Sequence, residues 1–153
     1  MAQVGLSMFD LNPFEQVYTF VDKVSGKPTH VASAFLLRTC EAARLPIIRA
    51  DIGGTLVDAL EAGTLGVEEE HALKLPNEAI HAPLLVLEWN TADHVIADGA
   101  HRLWRRWKAG HTTFRCYLVR EEAWRHFEIH DMPGTGEEWD EFNRNAKIRH
   151  LMA

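Results

Sequence analysis

The chain is poor in cysteine. Only Cys40 and Cys116 occur among its 153 residues, and they lie far apart. No paired spacing offers a zinc site or a disulfide framework. Both fall in apolar patterns and read as buried thiols. Long apolar runs are also missing, so no segment is predicted to cross a bilayer. Residues 1–12 lack a basic stretch leading into an apolar one, so no signal peptide is expected. The expected location is the cytoplasm, of a cell or of a virus replicating in one. Excess positive charge is absent too. Sixteen Lys and Arg stand against 22 Asp and Glu, a formal net charge of −6. The overall field therefore does not favour loose adhesion to DNA. No internal repeat or low-complexity tract breaks the chain.

What is there suits an ordinary folded domain. An apolar fraction of 46% over this length is enough for a real core. Residues 1–16 read as a loose lead-in. Residues 17–21 have strand composition, the turn at Ser25-Gly26-Lys27 follows, and residues 29–32 return. Ser33 reads as the N-cap of a helix to Arg44, with Phe35, Leu36, Cys40 and Ala43 on one face. Residues 47–52 read as a strand, residues 55–62 as a helix stopped by Gly63, and residues 67–75 as another helix. The run from Pro83 to Trp89 is nearly all apolar, as a buried central strand requires. A hairpin loop at residues 90–93 leads to a strand ending near Ala97. A helix over residues 100–109, a strand over 114–119 and a helix over 121–127 follow. Residues 131–136 read as a linker before a terminal helix anchored by Trp139, Phe142 and Ile148. Hairpins mixed with helices predict an α+β fold in a single domain over residues 17–130, with a small mixed sheet and an N-terminal hairpin. Residues 131–153 form its linker and C-terminal helix.

Chemistry concentrates at Val95-Ile96-Ala97-Asp98-Gly99-Ala100-His101-Arg102-Leu103-Trp104. A strand, an Asp-Gly turn and a basic helix succeed one another. The first N–H groups of a helix have no internal partner, and the helix dipole is positive there. Such a start binds anions, phosphate above all. Gly99 permits a sharp turn and close approach of the backbone. Arg102 offers a bidentate fork that Lys cannot match. Leu103, Trp104 and Trp107 share the face that packs on the sheet. The plain alternative stays open from spacing alone: Asp98 as N-cap, Gly99 as a turn, the arginines as a solvated face.

The segment from Leu84 to Val119 resembles the ParB/sulfiredoxin superfamily. Its members carry a hairpin strand, a GxxR-type turn opening a helix, then Gly and a closing strand. Sulfiredoxins have Gly-Cys-His-Arg at the turn, and ParB proteins have Gly-Glu-Arg-Arg. A group with free-serine kinases and many phage proteins has Asp-Gly-His-His-Arg. Here the run is Asp98-Gly99-Ala100-His101-Arg102, followed by Trp107-Lys108-Ala109-Gly110. The match covers about a quarter of the chain, and about half if residues 47–52 supply the leading strand. The resemblance implies a ParB/sulfiredoxin-like fold and a nucleotide-phosphate site. Gly99, Ala100, His101, Arg102 and Arg105 would hold phosphate oxygens, and Asp98 and His101 would be the catalytic candidates. The implied cofactor is ATP, ADP or CTP with Mg²⁺. Ala100 stands where sulfiredoxin has its catalytic cysteine and ParB its glutamate. Sulfinic acid reduction and a ParB-type CTP cycle are therefore not expected.

Three functions compete. The first is a nucleotide-binding phosphotransferase or hydrolase, with phosphate on the turn. The second is a non-catalytic module, a phage or mobile-element accessory protein holding a nucleotide, nucleic acid or partner. The third is a ParB-like nuclease, ranked last because no carboxylates show metal spacing. His126 and His130, with Glu128 and Asp131 nearby, have helical metal-ligand spacing, but surface histidines explain them more simply. Glu68, Glu69, Glu70 and His71 read as a solvated helix start, and Lys74 as surface. Trp89, Trp124 and Trp139 are candidates for sheet edges or a partner surface.

Overall fold

The computed structural model describes residues 5–11, 15–21, 25–89 and 93–132. They fall into two compact units, Met1–Thr39 with Glu121–Ala153, and Cys40–Arg120. The fold is a small mixed α+β arrangement with two sheets. The N-terminal hairpin forms a two-stranded sheet of its own, and the other four strands form the larger sheet.

In the first unit, β1 (Tyr18–Val21) pairs antiparallel with β2 (Pro28–Val31). α1 (Ser33–Ala42) follows directly, its last three residues belonging to the second unit. Ser33 does not cap it. Its side chain is fully buried, and the hydroxyl donates to the Gln16 carbonyl at 3.4 Å. α1 ends in a Schellman-type turn with Arg44 left-handed at φ 53, where the Leu45 N–H reaches the Cys40 carbonyl. α5 (Glu121–Trp124) runs into a short 3-10 turn, Arg125–Phe127, so the helix expected there is only one turn long. That change of geometry removes the helical face His126 and His130 were to share. Trp124 is fully buried and meets Phe20 edge-on at 5.8 Å. It is core; of the two roles expected of it, a sheet edge or a partner surface, burial rules out the exposed surface. Trp139 and the terminal helix lie outside the described residues.

Residues 5–11 of the lead-in are more ordered than their composition suggests. Leu6 bridges Ile129, and a 3-10 turn over Met8–Asp10 buries Met8 against Ile129. The Asp131 carboxylate holds this segment. It accepts the Ser7 hydroxyl at 2.5 Å and the Met8 N–H at 2.7 Å. Burial alone would raise its pKa. The Ser7 and Met8 hydrogen bonds and the His130 charge outweigh that and bring it below the usual 3.8.

The second unit is built on a four-stranded sheet ordered β3-β6-β4-β5. Its strands are β3 (Ile48–Asp51), β4 (Leu84–Trp89), β5 (Asp93–Asp98) and β6 (Thr113–Val119). β4 runs parallel to β6 and antiparallel to β5, and β3 runs antiparallel to β6. Leu84, Leu85, Val86, Leu87 and Trp89 are all buried, so β4 is covered on both faces as its continuous apolar run requires. α2 (Thr55–Ala62), α3 (Glu69–Leu73) and α4 (Ala100–Lys108) belong to this unit. Leu103 and Trp104 of α4 pack with Leu84, Val86, Phe114 and Cys116 in one core. α3 is only five residues long, so the helix expected over residues 67–75 is shorter at both ends, and a 3-10 turn over Asn77–His81 follows Pro76. Both cysteines are free and buried, and burial pushes both thiols above their usual pKa. Among the described residues no helix is long and apolar enough to cross a membrane.

His30 gives the first unit a pH dependence. Its side chain is buried, with Nδ1 2.8 Å from the Thr19 hydroxyl. Burial lowers its pKa below 6.5, against an opposing pull from Glu128. The folded state therefore binds this proton less readily than the unfolded chain. The contribution is complete above pH 6.5 and is lost as pH falls through the folded value. Tm is expected to fall on acidification below pH 6.5, and His30→Asn to flatten the fall. An unchanged slope in the variant would refute the assignment.

Candidate functional site

β5 reaches the site through an irregularity. Val86 pairs with Ile96, but Leu85 pairs with Asp98, so Ala97 is the extra residue of a bulge. Bulges re-aim the chain next to sites. This one carries Asp98 to the end of the strand, where Gly99 turns the chain into α4. Gly99 has φ 103 and ψ 12 and occupies the N-cap position. Asp98 is therefore not the cap, and no side chain caps the helix. The first bond of the helix runs from the Leu103 N–H to the Gly99 carbonyl at 2.9 Å. The N–H groups of Ala100, His101 and Arg102 precede the ladder and have no carbonyl one turn back inside it.

The Gly99 position has no room for a side chain. A Cβ there would meet Arg102 Nη2 and Leu84 Cγ, each at 2.7 Å. Arg102 thus folds back over the helix start. Its Nη2 donates to Asp98 Oδ2 at 3.0 Å and to the Pro83 carbonyl at 3.2 Å. Its Nε is buried and has no hydrogen-bond partner among the described residues. A cation at the positive pole of a helix is unfavourable by itself. Asp98 offsets it with a pair in which both side chains are about a fifth exposed.

Arg105 and Arg106 extend the basic side of α4. Arg105 Nη2 donates to Asn77 Oδ1 at 2.5 Å, while its Nη1 is buried and unpartnered among the described residues. Arg106 Nε and Nη2 donate to the Thr113 carbonyl at 2.9 and 2.6 Å, and its Nη1 donates to His81 Nδ1 at 3.0 Å. Arg115 Nη2 donates to the His81 carbonyl at 3.2 Å. With Arg102 on Pro83, three guanidiniums thus hold two of the three residues that lead into β4, His81 and Pro83. Arg115 is a residue that sequence reasoning passed over. Its only signal was a charge on the outer face of an otherwise apolar strand.

His101 does not join Arg102. Neighbours on a helix project about 100° apart. The His101 ring meets His71 edge-on at 4.8 Å, and its Nε2 accepts the Glu68 N–H at 3.1 Å. That flank also carries the exposed Glu68, Glu69 and Glu70. The structure brings Gly99, Asp98 and Arg102 together, keeps Arg105 one turn further along, and turns His101 towards α3. Ala100 contributes its backbone N–H. A cavity of about 130 Å³ adjoins the His101 flank, lined by Leu60, Leu65, Val67, Glu69 and Trp104 among others.

The chemistry of the donors favours holding an anion. The uncapped N–H groups and the orphaned Nε of Arg102 fit the phosphate group of a nucleotide. They do not fit a protein-held magnesium ion. The carboxylate expected to hold one, Asp98, already accepts from Arg102. Among the described residues no three His, Cys, Asp or Glu side chains gather as a metal site. No protein-family model, curated protein or solved structure matches the chain.

Gly99→Ala tests the geometry. A left-handed non-glycine residue plus two close contacts should cost about 2 kcal/mol or more in a denaturant titration. A loss below about 0.5 kcal/mol would mean that the turn is not as described.

Proposed function

We propose that this chain binds a phosphate-bearing ligand of the nucleotide class at the start of α4. The backbone N–H groups after Gly99 and the guanidinium of Arg102 receive the phosphate, with Arg105 flanking. One observation carries the reading. Arg102 Nε is a buried, unpartnered cationic donor lying beside an uncapped helix N-terminus. A buried donor without a partner costs about 1–3 kcal/mol, which a phosphate oxygen would offset. The ligand's own negative charge would also relieve the meeting of a guanidinium with the helix pole. A ParB/sulfiredoxin-like nucleotide fold is the architecture this reading belongs to. The strand, turn, helix and returning strand over residues 93–119 support it.

The reading is one of binding. The Asp98–Arg102 pair at 3.0 Å occupies the carboxylate that a phosphotransferase or hydrolase would use as base. His101, the other catalytic candidate, accepts from Glu68. Both contacts favour the non-catalytic form of the proposal over turnover.

A thermal-shift panel of ATP, ADP, CTP, GTP and inorganic phosphate, each with and without Mg²⁺, tests it. At a ligand concentration of about 100 Kd, Tm should rise by about 5 °C or more. Arg102→Ala should remove the shift, Arg102→Lys should keep a small part of it, and His101→Ala should keep most. A full shift in both Arg102 variants, or none in the parent protein, would overturn the proposal.

A further inference from the structure

A second concentration of positive charge lies away from the α4 start, on β3 and the outer face of β6. β3 is an edge strand. Its Arg49 stands directly opposite Arg115 of β6 in antiparallel register. Like charges directly opposite one another destabilise a sheet. A third guanidinium, that of Arg106, is near enough that both raise the cost of its charge. Burial first, then Arg115 and Arg49, hold its pKa below the ordinary arginine value. His81 adds its ring, accepting from Arg106 and standing edge-on to His111 at 5.9 Å.

Among the described residues no carboxylate pairs with this cluster. The described ion pairs involve Arg38, Arg102 and Arg125, and none involves Arg49, Arg106 or Arg115. Arg106 and Arg115 donate to neutral acceptors, the Thr113 and His81 carbonyls and the His81 ring. Those bonds orient the guanidiniums and leave their charge in place. Arg49 is exposed and has no described hydrogen bond. Asp51 lies two residues along β3, opposite Thr113, and forms no described ion pair with the cluster. In a chain of net charge −6, three arginines held together without an acid form a local inversion of the field. Such an arrangement costs stability in the free protein, a cost that a bound anion would offset.

We propose that Arg49, Arg106 and Arg115 form a second anion site, for a phosphate group, separate from the one at Gly99 and Arg102. Arg49 and Arg115 reach the anion from paired strands. Arg106 supplies charge from the side while its own donors stay on Thr113 and His81. The phosphate is that of a free polyphosphate or of a nucleic-acid backbone, since both present the same oxyanion to a guanidinium fork.

Arg49→Gln is the informative variant, because it removes a charge and no described hydrogen bond. Titration calorimetry of the full chain with pyrophosphate, and with a single-stranded dT oligomer of about ten nucleotides, is run at low salt for parent and variant. At least one probe should bind the parent, and Arg49→Gln should weaken that site at least tenfold. The same substitution should raise the Tm of the free protein by about 1–3 °C, because it relieves the repulsion. Arg115→Gln should weaken binding likewise, at some cost in stability from the lost His81 contact. Pyrophosphate binding alone assigns a free phosphate. Oligomer binding that falls steeply with salt assigns a backbone. In an Arg102→Ala background the effect of Arg49→Gln should persist, which separates this site from the one at α4. No binding of either probe to the parent, or equal binding by parent and Arg49→Gln, would overturn the proposal.

Discussion

The clamp on residues 81–83 is the constraint from which the rest of the second unit follows. This short segment connects a 3-10 turn to β4, the strand covered on both faces. Its polar backbone would otherwise end unpaired beside the core. Arg102 takes the Pro83 carbonyl, Arg115 takes the His81 carbonyl, and Arg106 takes the His81 ring. Guanidinium is the one side chain that can make several such bonds at once from a fixed plane. Carbonyls satisfy its donors but not its charge. A device that fixes the chain therefore concentrates positive charge, with Asp98 as the one carboxylate paired to it among the described residues. The anion-binding readings are consequences of that imbalance.

Placement of the clamp depends on the sheet and α4 together. α4 connects β5 to β6, which lie on either side of β4 in the sheet order. Arg102 and Arg106 are four residues apart and so share a face of the helix. Their partners, Pro83 and His81, are also close in sequence. Two successive turns of the helix thus grip two successive points of one strand entry. On the opposite flank, Leu103 and Trp104 bury into the core and fix how the helix lies. The bulge at Ala97 and the glycine after it set where the helix begins. A one-residue change at either place would move Arg102 and Arg106 off their acceptors.

Much of the scaffold was legible in the amino-acid order, because it rests on local rules. Continuous apolarity marked β4, glycine marked the ends of α2 and α4, and apolar spacing marked the buried face of α4. Locally readable features failed where tertiary contacts decided the outcome. Ser33 has the right chemistry for a cap, but burial turned its hydroxyl to Gln16. Residues 5–11 have the composition of a loose tail, yet Asp131, more than a hundred residues away, ties them down. At the site, the helix start and its glycine could be read from the turn motif. That His101 and Arg102 leave the helix on different flanks follows from its 100° step, but the partners they meet there, α3 for one and Pro83 for the other, could not be read. Nor could the Arg49–Arg115 register, which only strand pairing reveals.

The central claim is that the bend at Gly99, with Arg102 folded over it, is a receptor for a negative group. The most direct measurement is an NMR titration of the ¹⁵N-labelled chain with inorganic phosphate, following backbone amides and arginine Nε–Hε signals. The account requires saturable shifts at the amides of Ala100, His101 and Arg102, together with the Hε of Arg102 moving to a hydrogen-bonded position. Saturating phosphate that leaves those four signals where they were would contradict it.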